Sequence, residues 1–118
     1  MESDPISIAL AKKNQEANGV KNAQFVLAKA ESLSWVARPK DVVVVDPPRS
    51  GLHPKLLDVL INQGPNCLVY ISCNYQVLAS ELTSLLTAYS CETIRLMDFF
   101  PHTPHVEVLI KLMRKKTF

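Results

Sequence analysis

Four consecutive valines constrain the fold of this chain more than any other feature of its sequence. They occupy residues 42 to 45 and are bounded by aspartates in "DVVVVD". An uninterrupted apolar run of strand length is typical of a strand that helices cover on both faces. Such strands belong to parallel sheets in α/β proteins, so the run predicts an α/β sandwich.

The segments around the valine run alternate between helical and extended patterns. Helices are predicted in "DPISIALAKKNQEANGV", "HPKLLDVLINQG" and "YQVLASELTSLLTAY", strands in "AQFVLA" and "CLVYIS", and a short helix or loop in "ESLSWVARPK". The last two strands, "ETIRLMDFF" and "VEVLIKLM", are joined only by "PHTPH". Because that connection is too short for a crossover helix, these two strands should pair antiparallel. We therefore expect a mainly parallel sheet with an antiparallel last strand.

The composition fits one small globular domain over residues 1 to 118, with 47% hydrophobic and 20% charged residues. No apolar run is long enough to cross a bilayer, and no secretory signal opens the chain. An odd number of cysteines, three, indicates a reducing, cytoplasmic setting. No CxxC spacing occurs, so we expect no zinc site. A net charge of +2 does not by itself identify a nucleic-acid-binding protein.

Three reactive segments follow or precede predicted strands, namely "DPPRSG", "SCNY" and "FPHTPHVE". In α/β sheets, ligands bind beyond the carboxyl ends of the strands. With an antiparallel last strand, all three segments should lie at that one edge of the sheet. The sequence therefore predicts that Asp46, Cys73 and Glu107 converge there.

Each of these residues has a reactive and an ordinary interpretation. Cys73 stands at a strand-to-helix junction that Asn74 can cap, where the helix dipole stabilises a thiolate nucleophile. It could equally be a small core residue. Glu107 could remove a proton from carbon, or be an exposed residue at the start of a strand. Asp46 could bind a cationic or amine-bearing ligand, or only cap the next turn.

The segments together resemble the uracil-5-methyltransferases, which modify tRNA and ribosomal RNA with S-adenosylmethionine. The resemblance is carried by "DVVVVDPPRSGL" at 41 to 52, "YISCN" at 70 to 74, "DFFPHTPHVE" at 98 to 107 and the upstream "ESDPISIALAKKNQEANGVKNAQF". It implies a partial Rossmann-like class I methyltransferase sandwich that lacks the first strand. It also implies an RNA substrate and S-adenosylmethionine as the cofactor.

The resemblance assigns a role to each matching residue. Cys73 would attack carbon 6 of the target uracil, and Glu107 would remove the carbon-5 proton after methyl transfer. Asp46 would lie in the cofactor site. Glu2 would hold the ribose hydroxyls of the cofactor, since a carboxylate accepts two hydrogen bonds from a diol. Tyr75 stands where the family usually has a proline that presets the first helical turn.

In the family, a first strand and a glycine-rich cofactor loop precede the position of Glu2. We therefore expect the chain to be the C-terminal part of a catalytic domain and to be inactive alone. Without the first strand, the valine strand should become an exposed edge, and exposed apolar edges recruit other chains. A homo-oligomer or a rearranged N-terminal region is the expected consequence.

Two other functions are compatible with the sequence. The chain could be a non-catalytic RNA-binding or assembly module with a degenerate methyltransferase fold. It could also be an amino-methyltransferase, in which Asp46 and the prolines after it orient an exocyclic amine and Cys73 has no role.

Overall fold

The computed structural model describes residues 1–32 and 40–116, which fall into two compact units. One unit holds the described residues up to 32, and the other holds those from 40 onward. Most of the segment predicted as a short helix or loop, residues 31–40, lies outside the described residues.

The first unit is built on helix α1, Pro5–Ala17. The Asp4 side chain accepts hydrogen bonds from the backbone N–H groups of Ile6 and Ser7, at 3.2 and 2.9 Å. Pro5 occupies the first helical position, where its missing N–H costs nothing. The helix ends at Asn18 and is followed by Gly19 with φ +62°. The predicted start and stop of this helix are both confirmed.

The strand predicted in "AQFVLA" does not form. Within the described residues, Leu27 makes only an isolated parallel bridge with Glu2, and a 3₁₀ turn, Ala30–Ser32, follows. The bridge consists of two hydrogen bonds, from Glu2 N–H to Val26 O and from Ala28 N–H to Glu2 O. A strand needs a paired backbone along its whole length. Because the partner here is one residue long, the prediction is wrong.

The described residues of the second unit form four strands and two helices. In chain order they are β1 Val42–Val45, α2 Pro54–Gln63, β2 Cys67–Ser72, α3 Tyr75–Ala88, β3 Tyr89–Met97 and β4 Glu107–Arg114. The strands form one sheet in the order β1-β2-β4-β3. Strand β1 pairs parallel with β2, and β4 pairs antiparallel with both β2 and β3. Strands β1, β2 and β3 therefore run in one direction and β4 runs in the opposite direction. This confirms the prediction of mainly parallel strands with an antiparallel last strand.

The core of the second unit lies on one face of this sheet. Alternate residues of β2 and β4 are buried there together with leucines of both helices, namely Leu68, Tyr70, Ser72, Val108, Ile110, Leu112, Leu56, Leu60, Leu78 and Leu85. Helix α3 packs on β3 and β4, and α2 packs beside α3. This one-sided burial follows from the two-residue period of the strands.

Strand β1 is exposed on its other face. Val43 and Val45 pair with Leu68 and Tyr70 and share their buried face, but Val42 and Val44 are 59% and 60% exposed. The prediction that helices bury the valine run on both faces is therefore wrong for the described residues. The prediction that β1 is an exposed edge strand is confirmed by the strand order.

The carboxyl end of α2 is held by side chains from other elements. Arg114 Nη2 donates to Ile61 O at 2.8 Å, and its Nη1 lies 3.2 to 3.4 Å from Leu60 O, Gly64 O and the Tyr89 hydroxyl. The Tyr89 hydroxyl itself donates to Leu60 O at 3.0 Å. Leu60 O also accepts from Gly64 N–H, whereas Ile61 O is a carbonyl of the kind that the end of a helix leaves without an intrahelical partner.

Among the described residues, no helix combines the length and the apolar character needed to cross a membrane.

Candidate functional site

The structure places three of the predicted site residues at one edge of the sheet. Asp46 directly follows β1, Cys73 directly follows β2, and Glu107 is the first residue of β4. Parallel strands end at the same edge, and an antiparallel neighbour begins there. We call this edge the carboxyl edge.

Cys73 and Glu107 lie at the same end of the β2–β4 pair. The register runs from Cys67 opposite Met113 to Ser72 opposite Val108. Cys73 follows Ser72 and Glu107 precedes Val108, so each adjoins the last pair of this register, and both residues are half-buried. The fold therefore brings a thiol and a carboxylate to the same edge of the sheet.

The helix start after Cys73 is tightly organised. The Asn74 side chain accepts hydrogen bonds from Gln76 N–H and Val77 N–H, at 3.2 and 3.4 Å, which confirms the predicted cap. The buried Ser72 hydroxyl accepts from Asn74 N–H at 3.0 Å. Tyr75, in place of the usual proline, begins the helix and is 56% exposed. The amino-terminal end of α3 thus begins two residues after Cys73.

Residues 46–52, which we call the rim loop, connect β1 to α2. Asp46 begins this loop and is exposed, and its neighbour Val45 is paired with Tyr70 of β2. A turn closes with a hydrogen bond of 2.9 Å from Gly51 N–H to Pro48 O. The loop therefore doubles back soon after the Asp46 carboxylate.

Hydrogen bonds join the three segments at the carboxyl edge. Asn74 Nδ2 donates to Arg49 O at 3.0 Å, and Arg49 Nη2 lies 2.8 Å from His105 Nδ1. Because a guanidinium only donates, His105 Nδ1 is the acceptor, and the ring proton is on Nε2. The partners are 25 and 56 residues apart, so no local pattern in the sequence predicts these contacts.

A carboxylate on α3 lies behind the rim loop. Glu81 Oε1 accepts from Leu52 N–H at 2.8 Å, and Oε2 accepts from the Tyr70 hydroxyl at 2.6 Å. Burial, reinforced by Glu81, raises the pKa of Tyr70, so the phenol remains a donor. Sequence reasoning did not identify Glu81. The available signal was that it is the single charged residue of α3.

Glu2 lies in the first unit, beside a cavity of about 330 Å³. The lining residues are Met1, Glu2, Ser3 and the four residues from Ala28 to Glu31, of which the sequence identified Glu2 alone. Glu2 Oε1 accepts from Asp4 N–H at 2.9 Å and from Ser3 N–H at 2.6 Å. These hydrogen bonds, the one from Asp4 first, lower the pKa of Glu2. The carboxylate is thus ionised and oriented next to the cavity.

Within residues 1–32 and 40–116, no three or more histidine, cysteine, aspartate or glutamate side chains are grouped to hold a metal ion.

Known proteins resemble this chain over nearly its whole length. The profile of the tRNA (Uracil-5-)-methyltransferase family matches residues 2–115. Curated relatives include uncharacterized RNA methyltransferases of Bacillus cereus, 42% identical, and Nitratidesulfovibrio vulgaris, 37% identical. Each match covers 98% of this chain and 26% of the relative. The chain thus spans about a quarter of the length of these relatives.

Two crystal structures share the fold. The Pyrococcus abyssi tRNA (uracil-54, C5)-methyltransferase, solved with S-adenosyl-L-homocysteine, is 40% identical with a TM-score of 0.83. That match covers 94% of this chain and 27% of the other. The PH0226 protein of Pyrococcus horikoshii has a TM-score of 0.71 over 96% of this chain and 69% of its own. At 9% identity it supports the fold alone.

Proposed function

The chain belongs to the tRNA (uracil-5-)-methyltransferase family, and on this basis we propose that it carries the catalytic residues of an RNA uracil-5-methyltransferase. The proposed reaction moves a methyl group from S-adenosylmethionine to carbon 5 of a uridine in tRNA or ribosomal RNA. The observation that supports this proposal is the β2–β4 register, whose last pair, Ser72 with Val108, is adjoined by Cys73 and Glu107 at the carboxyl edge.

The residues present suit S-adenosylmethionine. Glu2 is ionised, held by two backbone N–H groups and next to a cavity, which suits a carboxylate that accepts from the two ribose hydroxyls. Asp46 is exposed at the carboxyl edge, where a second acceptor for the cofactor is proposed. When bound, the cofactor supplies an electrophilic methyl group on a sulfonium centre.

The proposed role of Cys73 is covalent. Its thiolate forms a bond to carbon 6 of the uracil, and the electrons of the 5,6 double bond move toward the carbon-4 carbonyl. The Cys73 adduct would thereby make carbon 5 the nucleophile that receives the methyl group of the bound cofactor. Glu107 accepts the proton from carbon 5, the double bond re-forms, and the Cys73 thiolate leaves. Cys73 is restored as the thiolate, and Glu107 returns to the carboxylate when it releases the proton to water.

Replacing Glu107 by glutamine should trap the methylated RNA on the protein. An amide cannot accept the carbon-5 proton, so Cys73 cannot be eliminated. The experiment uses the natural protein that contains this chain, expressed at its full encoded length, which we call the full-length protein. It is incubated with uridine-containing tRNA and S-adenosylmethionine. A covalent protein–RNA band on a denaturing gel, with the mass of methylated RNA, is expected.

Glu92→Gln is the matched control, because Glu92 is exposed on β3 and pairs with Lys111 at 2.5 Å. The Glu92→Gln protein should methylate RNA at the wild-type rate and should give no covalent protein–RNA band. If the Glu107→Gln protein also methylated RNA at the wild-type rate, Glu107 would not be the base.

We further propose that the 118-residue chain alone yields no methylated RNA, because it spans about a quarter of the relatives' length.

The exposed edge of β1 supports a further proposal, that two copies of this chain associate along it. Val42 and Val44 are exposed, and the edge backbone can pair with another strand. Light scattering at increasing concentration should give a mass above that of the monomer. Val44→Lys should return the chain to a monomer, because a lysine on an edge strand opposes pairing.

Ser80→Lys, which places the same charge on an exposed position of α3, should leave this association unchanged. A wild-type chain that stays monomeric across the concentration range would contradict the proposal.

A further inference from the structure

We infer that Glu81 is a positioning residue that fixes the rim loop on α3 and so sets where Asp46 and Arg49 lie relative to Cys73. The inference rests on the proposed function, because its effect is read from methyl transfer. Glu81 itself contacts neither Asp46 nor Cys73 in the hydrogen bonds of the described residues and acts through the backbone of the loop.

Both carboxylate oxygens of Glu81 have a specific donor. Oε1 accepts from Leu52 N–H, at the end of the rim loop, and Oε2 accepts from the Tyr70 hydroxyl of β2. Tyr70 is fully buried and Leu52 is 8% exposed, so both donors are held by the core. A carboxylate is the side chain that can accept two such bonds at once, which accounts for a charge in an otherwise uncharged helix.

The loop approaches Glu81 so closely that a side chain at position 51 is excluded. Gly51 has φ +85°, a conformation that residues with a Cβ rarely adopt. A Cβ built there would overlap the Glu81 carboxylate and the Val77 side chain. The rim loop is thus pressed against the first turns of α3, the helix whose start adjoins Cys73.

From this anchor, the loop connects to the proposed catalytic groups. Arg49 O accepts from Asn74, the residue after Cys73, and the Arg49 guanidinium binds His105, two residues before Glu107. Tyr70, whose hydroxyl donates to Glu81 Oε2, lies on β2 three residues before Cys73. Displacing the loop at Leu52 therefore moves Arg49, which contacts the residue after Cys73 and a residue two positions before Glu107.

The test uses substitutions at Glu81 in the full-length protein. In Glu81→Ala, hydrogen exchange at the Leu52 amide should be at least about tenfold faster, because its acceptor is lost. The kcat for methyl transfer should fall at least about tenfold, because displacing a group of the active site by about 1 Å can lower the rate by more than tenfold. The KM for RNA should change less than about twofold, because the RNA-contacting groups themselves are unaltered.

Two variants separate positioning from general stability. Glu81→Gln keeps one oxygen acceptor for Leu52 N–H, and its amide can donate to the Tyr70 oxygen after the phenol rotates. It should recover kcat to within about threefold of the wild type. Tyr70→Phe removes only the hydroxyl that donates to Glu81 Oε2. The hydrogen-exchange rate of the Leu52 amide and the kcat should both stay within about threefold of the wild type.

A mutant cycle with the Asp46→Asn, Arg49→Ala protein gives the decisive comparison. If Glu81 acts by placing the rim loop, adding Glu81→Ala to that protein should lower kcat less than about twofold further. Multiplicative losses would overturn the inference, as would a Glu81→Ala protein with wild-type kcat. Should Glu81→Ala fail to fold, Glu81→Asp takes its place, because its shorter side chain withdraws the carboxylate from Leu52. The same loss of kcat is then expected, and wild-type kcat would overturn the inference.

The two proposals fail in different ways. A full-length wild-type protein without uridine methylation contradicts the proposed function, and the inference fails with it. An active wild type whose kcat is insensitive to Glu81 contradicts the positioning role alone.

Discussion

Replacing Cys73 by alanine should lower the rate of methyl transfer by at least about 10³-fold, because in the proposed reaction the Cys73 adduct is what makes carbon 5 of uracil nucleophilic. The measurement is incorporation of labelled methyl from S-adenosylmethionine into tRNA by the full-length protein. The same variant should form no covalent complex with RNA that contains 5-fluorouridine, whereas the wild type should form a stable one. Fluorine at carbon 5 cannot leave as a proton, so the wild-type adduct persists.

Cys91→Ala is the matched control for this prediction, since Cys91 is an exposed thiol on β3 with no helix start beside it. Its activity should remain within about twofold of the wild type. Activity of Cys73→Ala within tenfold of the wild type would exclude the covalent mechanism. That result would favour an amino-methyltransferase, in which Asp46 orients the target amine and Cys73 has no role.

The second large effect is expected in the free energy of unfolding when Arg114, which binds the carboxyl end of α2, is replaced. Arg114→Met should lower the free energy of unfolding by about 3 kcal/mol, because it removes charge-assisted hydrogen bonds to the half-buried end of α2. The carbonyls of Leu60, Ile61 and Gly64 would lose this donor, and the cation over the Tyr89 ring, 5.4 Å from its centroid, would be lost too. Urea unfolding followed by circular dichroism measures the change.

Lys115→Met is a closely matched control. It removes the same charge from the next residue, whose Nζ donates to Leu86 O of α3 at 2.6 Å, but that contact is exposed. Exposed contacts contribute little, so the loss should stay below about 0.5 kcal/mol. Equal effects of the two substitutions would show that Arg114 contributes only charge, and would contradict its role in holding α2.

Local chemistry allowed several boundaries of the fold to be predicted from sequence. Asp4 and Asn74 cap helices with their own side chains, and Gly64 ends α2 as expected. The direction of β4 was also predictable, because a short connection between strands allows only antiparallel pairing. Each of these features depends on residues within a few positions of one another.

Predictions that depended on distant partners were less successful. "AQFVLA" has strand-like residues, but only Leu27 finds a paired backbone, at Glu2. Val42 and Val44 have the composition of buried residues, yet they lie on the face of β1 opposite the one shared with Leu68. Propensity describes what a segment can form, whereas pairing and burial depend on what is placed against it.

The sequence by itself determined the helix ends, the strand directions and the edge of the sheet at which Asp46, Cys73 and Glu107 lie, since these follow from local backbone preferences and connection lengths. Only the tertiary structure decided that Glu81 binds both Tyr70 and Leu52, and that Arg49 reaches His105. The physical reason is that a hydrogen bond requires two groups within about 3 Å in the right orientation. For residues tens of positions apart, that condition is met by the packing of the whole unit rather than by any pattern in the chain.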